Sequence, residues 1–236
     1  QHTFNALGLW RFFPKTLFFV DTVFGLRSWD APNPQLGRTN SQPLRVYSGI
    51  SGFITKKVSA TARLGYGSSS YEEGEDFTGF VGEASVAYSP QRTTILSVSY
   101  ARDFKDSLYA NFYSYDRVAT KIKQQFVERF NLHTELSYSL IDFAPYDPAA
   151  GGPIFNGIFQ VANTTDRNDA ALESVSGLEF EVTRYFAFQL SYRFRQVFSE
   201  FEERSSQDNI LSTDDEIIDV GGYDRHLFLG GVRVQY

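Results

Sequence analysis

His133, Glu135 and Ser137 carry the side-chain types that acyl hydrolases use. A serine can attack an acyl group when a histidine takes its proton and an acid orients the histidine. The two-residue spacing predicts that all three lie on one face of a β-strand, with neighbouring side chains about 6–7 Å apart. Because that separation exceeds hydrogen-bond reach, we expect these residues to line a wall, and we predict that the chain is not an enzyme.

The sequence offers few residues for binding a metal ion. Cysteine is absent, which excludes disulfides, thiolate zinc sites and cysteine nucleophiles. His2 and His226 lie far from His133, so no metal-binding spacing is visible. Two acidic segments, 72–76 and 214–219, could bind divalent cations or bridge to lipopolysaccharide, but neither has EF-hand spacing, and a solvated loop is the simpler interpretation. We predict no catalytic residue, no metal and no cofactor.

A larger set of charged residues recurs with a period of two along several segments. It comprises Arg117, Lys121, Lys123, Arg129, His133, Glu135, Glu179, Glu181, Arg193 and Arg195. A period of two places such residues on one face of their strands. On a pore wall they would set a transverse field and select solutes by charge. Alternatively, Glu and Arg on neighbouring strands pair with each other and stiffen the wall, and the sequence leaves both interpretations open.

The composition indicates what surrounds these strands. Hydrophobic residues make up 42% and aromatic residues 17%, with 23 Phe and 14 Tyr, yet the mean hydropathy is -0.29. Strands that face lipid between aromatic girdles need many Phe and Tyr beside a large polar surface. No apolar run approaches the roughly 20 residues of a membrane-spanning helix. The net charge of -6 argues against a nucleic-acid partner.

Alternation and turn residues predict about eleven strands in a single domain over residues 1–236. They are 3–13, 16–28, 43–55, 57–69, 77–89, 92–104, 109–123, 127–141, 170–183, 185–200 and 223–236. Several exceed the roughly 9–11 residues that cross a bilayer at a tilt. In the first strands the pattern is less regular, since Leu17 and Phe19 share a face with Asp21.

The connections between these strands alternate in length. Short turns fall near Pro14, Lys56, Pro90 and Arg184, and longer loops span 29–42, 142–169 and 201–222. Outer-membrane barrels divide periplasmic turns from extracellular loops in this way. We therefore predict an antiparallel transmembrane β-barrel in the bacterial outer membrane, in contact with lipid and lipopolysaccharide, with a periplasmic C-terminus. A soluble β-sandwich or lipocalin-like barrel explains the alternation, but not the strand length, one-sided loops and aromatic excess together.

The last predicted strand ends on an aromatic residue. Phe228, Val232, Val234 and Tyr236 share one face of it. This resembles the terminal strand of outer-membrane barrels, which the barrel-assembly machinery recognises. We predict that these four residues form the assembly signal.

The middle of the chain resembles the β-barrel porin-2 family. The residues that carry the likeness lie within positions 43–141 and in the last strand: Gly65-Tyr66-Gly67, the run 80–90 ending in Ser89-Pro90, the run 94–102, and Tyr113-Ser114-Tyr115-Asp116-Arg117 leading into Gln124-Gln125. The resemblance implies a large barrel of the Gram-negative envelope, often associated with exopolysaccharide export, and no catalytic motif belongs to it.

Two functions follow from this reading. The first is a porin-like channel or export conduit, in which the 142–169 loop could fold inward as a constriction. The second is a structural or anchoring barrel, in which that loop meets a protein partner of a larger envelope complex.

The predicted number of strands, eleven, is odd, and antiparallel closure of a barrel requires an even number. We therefore expect the first and last strands not to pair directly, as in the C-terminal part of a larger even-stranded barrel, and the absent initiator Met fits a processed or partial chain.

Overall fold

The computed structural model is all-β over the part of the chain that it describes. Described are residues 1–28, 40–72, 74–107, 111–126, 129–144, 159–161, 167–183, 185–199, 202–205, 216–219 and 222–234. In these ranges no helix is long and apolar enough to cross a membrane.

Eleven long strands form one antiparallel sheet. They are β1 (His2–Phe13), β2 (Thr16–Leu26), β3 (Ser41–Phe53), β4 (Val58–Tyr71), β5 (Phe77–Gln91), β6 (Thr94–Asp106), β7 (Phe112–Phe126), β8 (Phe130–Phe143), β10 (Asn168–Thr183), β11 (Phe186–Ser199) and β14 (Tyr223–Val234). The sheet follows chain order from β1 to β8 and continues with β10, β11 and β14. The predicted number of long strands and their antiparallel order are confirmed.

Three short strands form a second sheet from segments that the sequence predicted to be loops. They are β9 (Phe159–Val161), β12 (Glu202–Ser205) and β13 (Glu216–Asp219), in the order β13-β12-β9. The prediction of plain loops at 142–169 and 201–222 is therefore wrong at these positions. Short runs with β-branched and aromatic residues favour strand pairing, although the neighbouring acidic and Gly/Pro residues suggested loops.

The two faces of the main sheet differ in curvature and chemistry. Arg45 on β3 lies 2.7 Å from Asp103 on β6, with two strands between them in the sheet order. Side chains can meet across intervening strands only on a concave side, so we call this the concave face. The opposite, convex face carries the most exposed large apolar side chains, with Leu64 76%, Phe80 82% and Phe228 71% exposed. The polarity of the sheet is the reverse of that of a soluble barrel, which fills its interior with apolar residues.

Small residues allow rings to lie flat on the concave face. A Cβ at Gly67 on β4 would lie 2.6 Å from the ring of Phe104 and 2.9 Å from Val81. Phe104 and Val81 belong to a buried cluster with Tyr47 and Phe77. Glycine is therefore required at position 67, because a larger side chain would push the ring off the wall.

The sheet has two open edges in the described residues. β1 pairs with β2 alone and β14 with β11 alone. Every residue of β1 is exposed. Because the sheet has an odd number of antiparallel strands, β1 and β14 run in the same direction. The prediction that they do not pair directly in an antiparallel ladder is confirmed.

Candidate functional site

The candidate site is the concave face, which has two parts. The latched region is the concave face of β2 to β6, covered at the long-loop end by the tip of β6. The trough is the concave face of β7, β8, β10, β11 and β14.

The tip of β6 folds inward over the latched region. Pairing between β5 and β6 ends at Gly82 and Arg102, whereas β6 stays paired with β7 as far as Asp106. Released from β5, the tip turns so that Phe104 is fully buried and stacks on Phe77, with 4.0 Å between ring centroids. Strict alternation would have placed Phe104 on the convex face with Arg102. Sequence reasoning missed this inward turn, and the signal for it is the break in alternation after Arg102.

Arg45 on β3 binds the tip of β6 at two residues, Asp103 and Phe104. Its Nε donates to Asp103 over 2.7 Å and its terminal nitrogen donates to the Phe104 carbonyl over 2.5 Å. The guanidinium carbon lies 4.0 Å from the centre of the Phe104 ring. One arginine thus satisfies a carboxylate and a carbonyl and also packs on an aromatic face, which desolvates all of these contacts.

Asp106 connects the end of the β6 tip to residues of β3 and β4 and to Arg27, which follows β2. It accepts hydrogen bonds from Ser41 Oγ over 2.7 Å and from the Tyr71 hydroxyl over 3.0 Å. It also forms an ion pair with Arg27. We call Arg27, Arg45, Asp103, Phe104 and Asp106 the latch. The loop that the sequence suggested as a constriction, 142–169, lies largely outside the described residues.

The predicted charged residues of the trough lie on one face, except one. The register pairs Lys121 with Glu135 and Glu179 with Gln189, so side chains of odd number share the concave face. On it lie Arg117, Lys121, Lys123, His133, Glu135, Glu179, Glu181, Arg193 and Arg195. Arg129 lies instead in the exposed turn before β8. Its carbonyl accepts a hydrogen bond from the Glu181 N–H over 2.8 Å.

Many of these charges pair across strands. Glu135 lies 2.5 Å from Arg117 and 2.6 Å from Lys121, so two cations share one acid. On β14, Arg233 lies 2.5 Å from Glu179 and 3.6 Å from Glu181. Sequence reasoning had not singled out Arg233, although its alternation with Val232 and Val234 places it on the concave face.

Pairing leaves an excess of positive charge in the trough. Its strand positions carry seven cationic residues and five acidic ones: Arg117, Lys121, Lys123, Arg193, Arg195, Arg225 and Arg233 against Glu135, Asp169, Glu173, Glu179 and Glu181. Arg195 Nε is buried without a hydrogen-bond partner among the described residues. The trough is thus net positive in a chain of net charge -6.

A cavity of about 390 Å³ opens in the half of the trough nearer the long loops. Its charged lining consists of Lys105, Arg117, Arg193, Arg195, Glu135 and Glu173. Tyr113 and Tyr115 also line it, with 6.2 Å between their ring centroids. A second cavity of about 630 Å³ lies nearer the short-turn end, lined by Lys121, Lys123, His133 and Arg233 among others.

The candidate catalytic group is built into the wall. Ser137 is 3% exposed, and its hydroxyl oxygen accepts a hydrogen bond from Arg117 over 3.1 Å. Glu135 is bound by the two cations described above. The imidazole of His133 covers Gly177 of β10, where a Cβ would lie 2.0 Å from the ring. This arrangement fixes wall charges; the absence of enzyme activity stays a prediction.

The acidic segments and the metal prediction can be placed in part. In the turn between β4 and β5, Asp76 accepts a hydrogen bond from the Tyr71 N–H over 2.8 Å, so this carboxylate stabilises the turn. Residues 214 and 215 lie outside the described residues. Over the described ranges, no group of three His, Asp or Glu side chains is placed to hold a metal ion.

The predicted assembly residues lie on the convex face of β14. Phe228, Val232 and Val234 are 71%, 57% and 65% exposed. Phe228 packs against Tyr192 of β11, with 4.7 Å between ring centroids. Tyr236 lies outside the described residues, and the role of the four as an assembly signal stays a prediction.

The chain is similar to one protein family and to a solved channel structure. A family model described as "Putative beta-barrel porin 2" matches residues 3–214. Among solved structures the chain is similar to the CymD monoaromatic hydrocarbon channel at 10% identity, with 99% of this chain and 86% of that chain covered and a TM-score of 0.40. No curated protein matches the chain.

Proposed function

The chain belongs to the putative beta-barrel porin 2 family, and we propose that its main sheet forms the wall of an outer-membrane channel for hydrophilic solutes. The observation that carries the proposal is the reversed polarity of the sheet. The most exposed large apolar side chains lie on the convex face, whereas most ion pairs that bridge strands lie on the concave one, beside a small buried aromatic cluster. Lipid accepts the first surface, and water with dissolved solutes accepts the second.

Strand length supports the same proposal. Of the eleven long strands, β2 is the shortest at 11 residues and β10 the longest at 16. A tilted strand crosses a bilayer in about 9–11 residues. Each long strand can therefore cross the hydrocarbon layer, and the polar ends reach the interfaces.

Closure of the channel requires further strands at the two open edges. A strand edge in hydrocarbon leaves backbone N–H and C=O groups without partners, at a cost of several kcal/mol per group. Because β1 and β14 run in the same direction, an odd number of additional strands would complete an antiparallel ladder. We propose that such strands lie between β14 and β1 in the membrane.

The latch would narrow this channel at the long-loop end. It folds inward from the wall, and its contacts are ionic and aromatic at once. Phe104 is inaccessible to solvent, so the narrowed part is firm. The trough beside it would remain open to solutes.

Polysaccharide export is the more specific form of the proposal. It is what the resemblance described from the sequence implies, and the Tyr113 and Tyr115 rings that line the trough cavity support it. Aromatic rings offer flat apolar faces with a polar edge, a surface suited to sugar rings. The same concave face would also line the path of small solutes.

A structural or anchoring barrel is the second candidate. The observation in its favour is β1, whose concave side carries Leu7 and Leu9, 57% and 60% exposed. An apolar inner surface at an edge suits a protein partner better than water. In that case the lumen would be filled, and the barrel would not conduct.

Orientation and partners complete the proposal. We propose that the short turns and the C-terminus are periplasmic, that lipopolysaccharide contacts the long-loop rim, and that the barrel-assembly machinery inserts the chain. Protease added to intact cells should cut only within the long loops 29–42, 143–167 or 201–222. Cleavage confined to the short turns would reverse the orientation.

Conductance of the full-length protein in planar bilayers tests the channel directly. We expect stepwise current increases and entry of glucose into protein-containing liposomes. Vesicles prepared identically without protein are the control. Correctly inserted, heat-modifiable protein that gives neither current nor glucose entry would favour the anchoring function instead.

A further inference from the structure

The trough cavity combines four cations with two acids in a small volume. Lys105, Arg117, Arg193 and Arg195 supply the positive charge, and Glu135 and Glu173 supply the negative charge. A volume of about 390 Å³ falls within the range of about 300–1,000 Å³ that is usual for small-molecule sites. The cavity is therefore large enough for a sugar-sized solute and positively charged overall.

The two acids do not neutralise this charge. Glu135 is already shared by Arg117 and Lys121, and Lys121 approaches it from outside the cavity lining. Glu173 lies 3.4 Å from Arg193, whose side chain is 56% exposed. Contacts between exposed charges of this kind are weak and easily exchanged. Arg193 can therefore turn toward a ligand at small cost.

Arg195 carries the strongest indication of a ligand. Its Nε is buried and has no hydrogen-bond partner in the described part of the chain. Across the strand pair with β14 it faces Arg225, a second cation. A buried guanidinium N–H without an acceptor destabilises the free site. An oxyanion in the cavity would lie beside the guanidinium groups of Arg193 and Arg195, which line it, and would offset the charge of Arg195.

The tyrosines define the rest of the ligand. Tyr113 and Tyr115 line the same cavity, and Lys105 Nζ lies 5.1 Å from the centre of the Tyr115 ring. Guanidinium groups bind carboxylate and phosphate oxygens through paired N–H donors. A ligand that joins an oxyanion to a ring would engage both parts of the lining.

From this arrangement we infer that the trough cavity is a binding subsite for an oxyanion-bearing, sugar-sized solute and makes the channel selective for anions. The inference rests on the proposed channel function. It names the class of solute and the residues that select it, with Arg195 and Arg193 holding the carboxylate or phosphate and Tyr113 and Tyr115 contacting the ring.

The experiment compares solutes that differ only in charge. Liposomes containing the full-length protein are tested for uptake of glucose, glucuronate and glucose 6-phosphate, and reversal potentials are measured across a KCl gradient. The variants are Arg195→Gln, Glu173→Gln, and Arg102→Gln as the matched control. Arg102 lies on the convex face, paired with Asp116 over 2.8 Å, so its removal changes the net charge equally without changing the trough. Heat-modifiability on gels shows that each variant is folded.

We expect the wild type to take up both anions faster than glucose and to favour chloride. Arg195→Gln should reduce anion uptake relative to glucose and move the reversal potential toward zero. Glu173→Gln should do the reverse, and Arg102→Gln should behave as the wild type. Raising the salt from about 0.1 M to about 1 M, which shortens the Debye length from about 10 Å to about 3 Å, should weaken the preference.

The outcomes separate the two proposals. A wild type that conducts without anion preference, or an Arg195→Gln variant as anion-selective as the wild type, would overturn the subsite and leave the channel standing. Uptake of one anion but not the other would support the subsite and identify whether carboxylate or phosphate fits. A wild type that neither conducts nor takes up glucose would overturn both.

Discussion

The latched region and the trough carry the same types of charged residue on the same face, but differ in charge balance and in exposure. In the latched region, strand positions carry three cations and four acids on the concave face: Arg45, Arg63 and Lys105 against Asp21, Glu83, Asp103 and Asp106. The trough carries seven and five. The latched charges are also better covered, since the Arg45 side chain is 14% exposed whereas that of Arg193 is 56% exposed.

This difference shows what pairing geometry decides. Where β6 leaves β5, its tip folds onto the wall and brings an aromatic ring over an arginine, so the ion pair becomes part of a small core. Where neighbouring strands stay in register, cations and acids meet on the open concave face and remain more exposed. The first arrangement stabilises the structure, and the second leaves a positive electrostatic potential that could attract solutes.

Substitution of a convex residue by arginine should have the largest effect in either region. Leu190 on β11 and Leu64 on β4 are 57% and 76% exposed near the middle of their strands. If both face lipid, Leu190→Arg and Leu64→Arg should each cost about 2–4 kcal/mol of unfolding free energy, as for a cation at the bilayer midplane. Urea titration of the protein in lipid vesicles measures this cost.

The matched control is the neighbouring concave residue. Ser191→Arg places the same charge in the trough and should be tolerated. Equal damage at positions 190 and 191 would mean that the two faces are wrongly assigned and that the two regions do not share one interior.

Removal of one arginine from each region should lower the unfolding free energy by different amounts. Arg45→Ala should lower the unfolding free energy by about 1.5–3 kcal/mol, the value of hydrogen bonds to charged groups, because it leaves Asp103 and Phe104 without their partner. Arg193→Ala should cost less than about 1 kcal/mol, because its ion pair with Glu173 is exposed. The same urea titration compares them, and equal losses would remove the distinction between latch and trough.

A glycine in each region offers a smaller test. A Cβ at Gly67 meets the Phe104 ring at 2.6 Å, whereas nothing lies within 4 Å of a Cβ at Gly231 on the concave side of β14. Gly67→Val should therefore cost about 1–3 kcal/mol by overpacking, and Gly231→Val should be nearly neutral. Thermal denaturation ranks the two, and a tolerated valine at position 67 would show that Phe104 does not rest on β4.

The sequence predicted the sheet better than it predicted the site. Alternation at Arg193 and Leu190 or at Glu135 and Leu136 is regular, because one face of the sheet is apolar and the other polar, so strand limits and faces could be predicted. The latch could not, because Phe104 and Asp106 reach the concave face through a local departure of β6 from β5. Alternation assigns a face only where a strand keeps both neighbours.

The pairing of charges was likewise only partly predictable. Sequence reasoning placed Glu179 on the concave face, but its partner Arg233 lies 54 positions later and two strands away. Which acid meets which arginine depends on register, and a shift by two residues changes every partner while it leaves the faces unchanged. The excess positive charge of the trough therefore emerged only from the paired sheet.

We expect the concave face to line a water-filled passage and the convex face to meet lipid. Because the chain contains no cysteine, single cysteines can be placed without background at Ser139, which lines the trough cavity, and at Leu140, which is 51% exposed on the convex face. During bilayer recordings a charged, membrane-impermeant thiol reagent should change the current of the Ser139→Cys channel and leave that of Leu140→Cys unchanged. A current that changes at Leu140→Cys and not at Ser139→Cys would mean that the convex face, not the concave one, lines the passage.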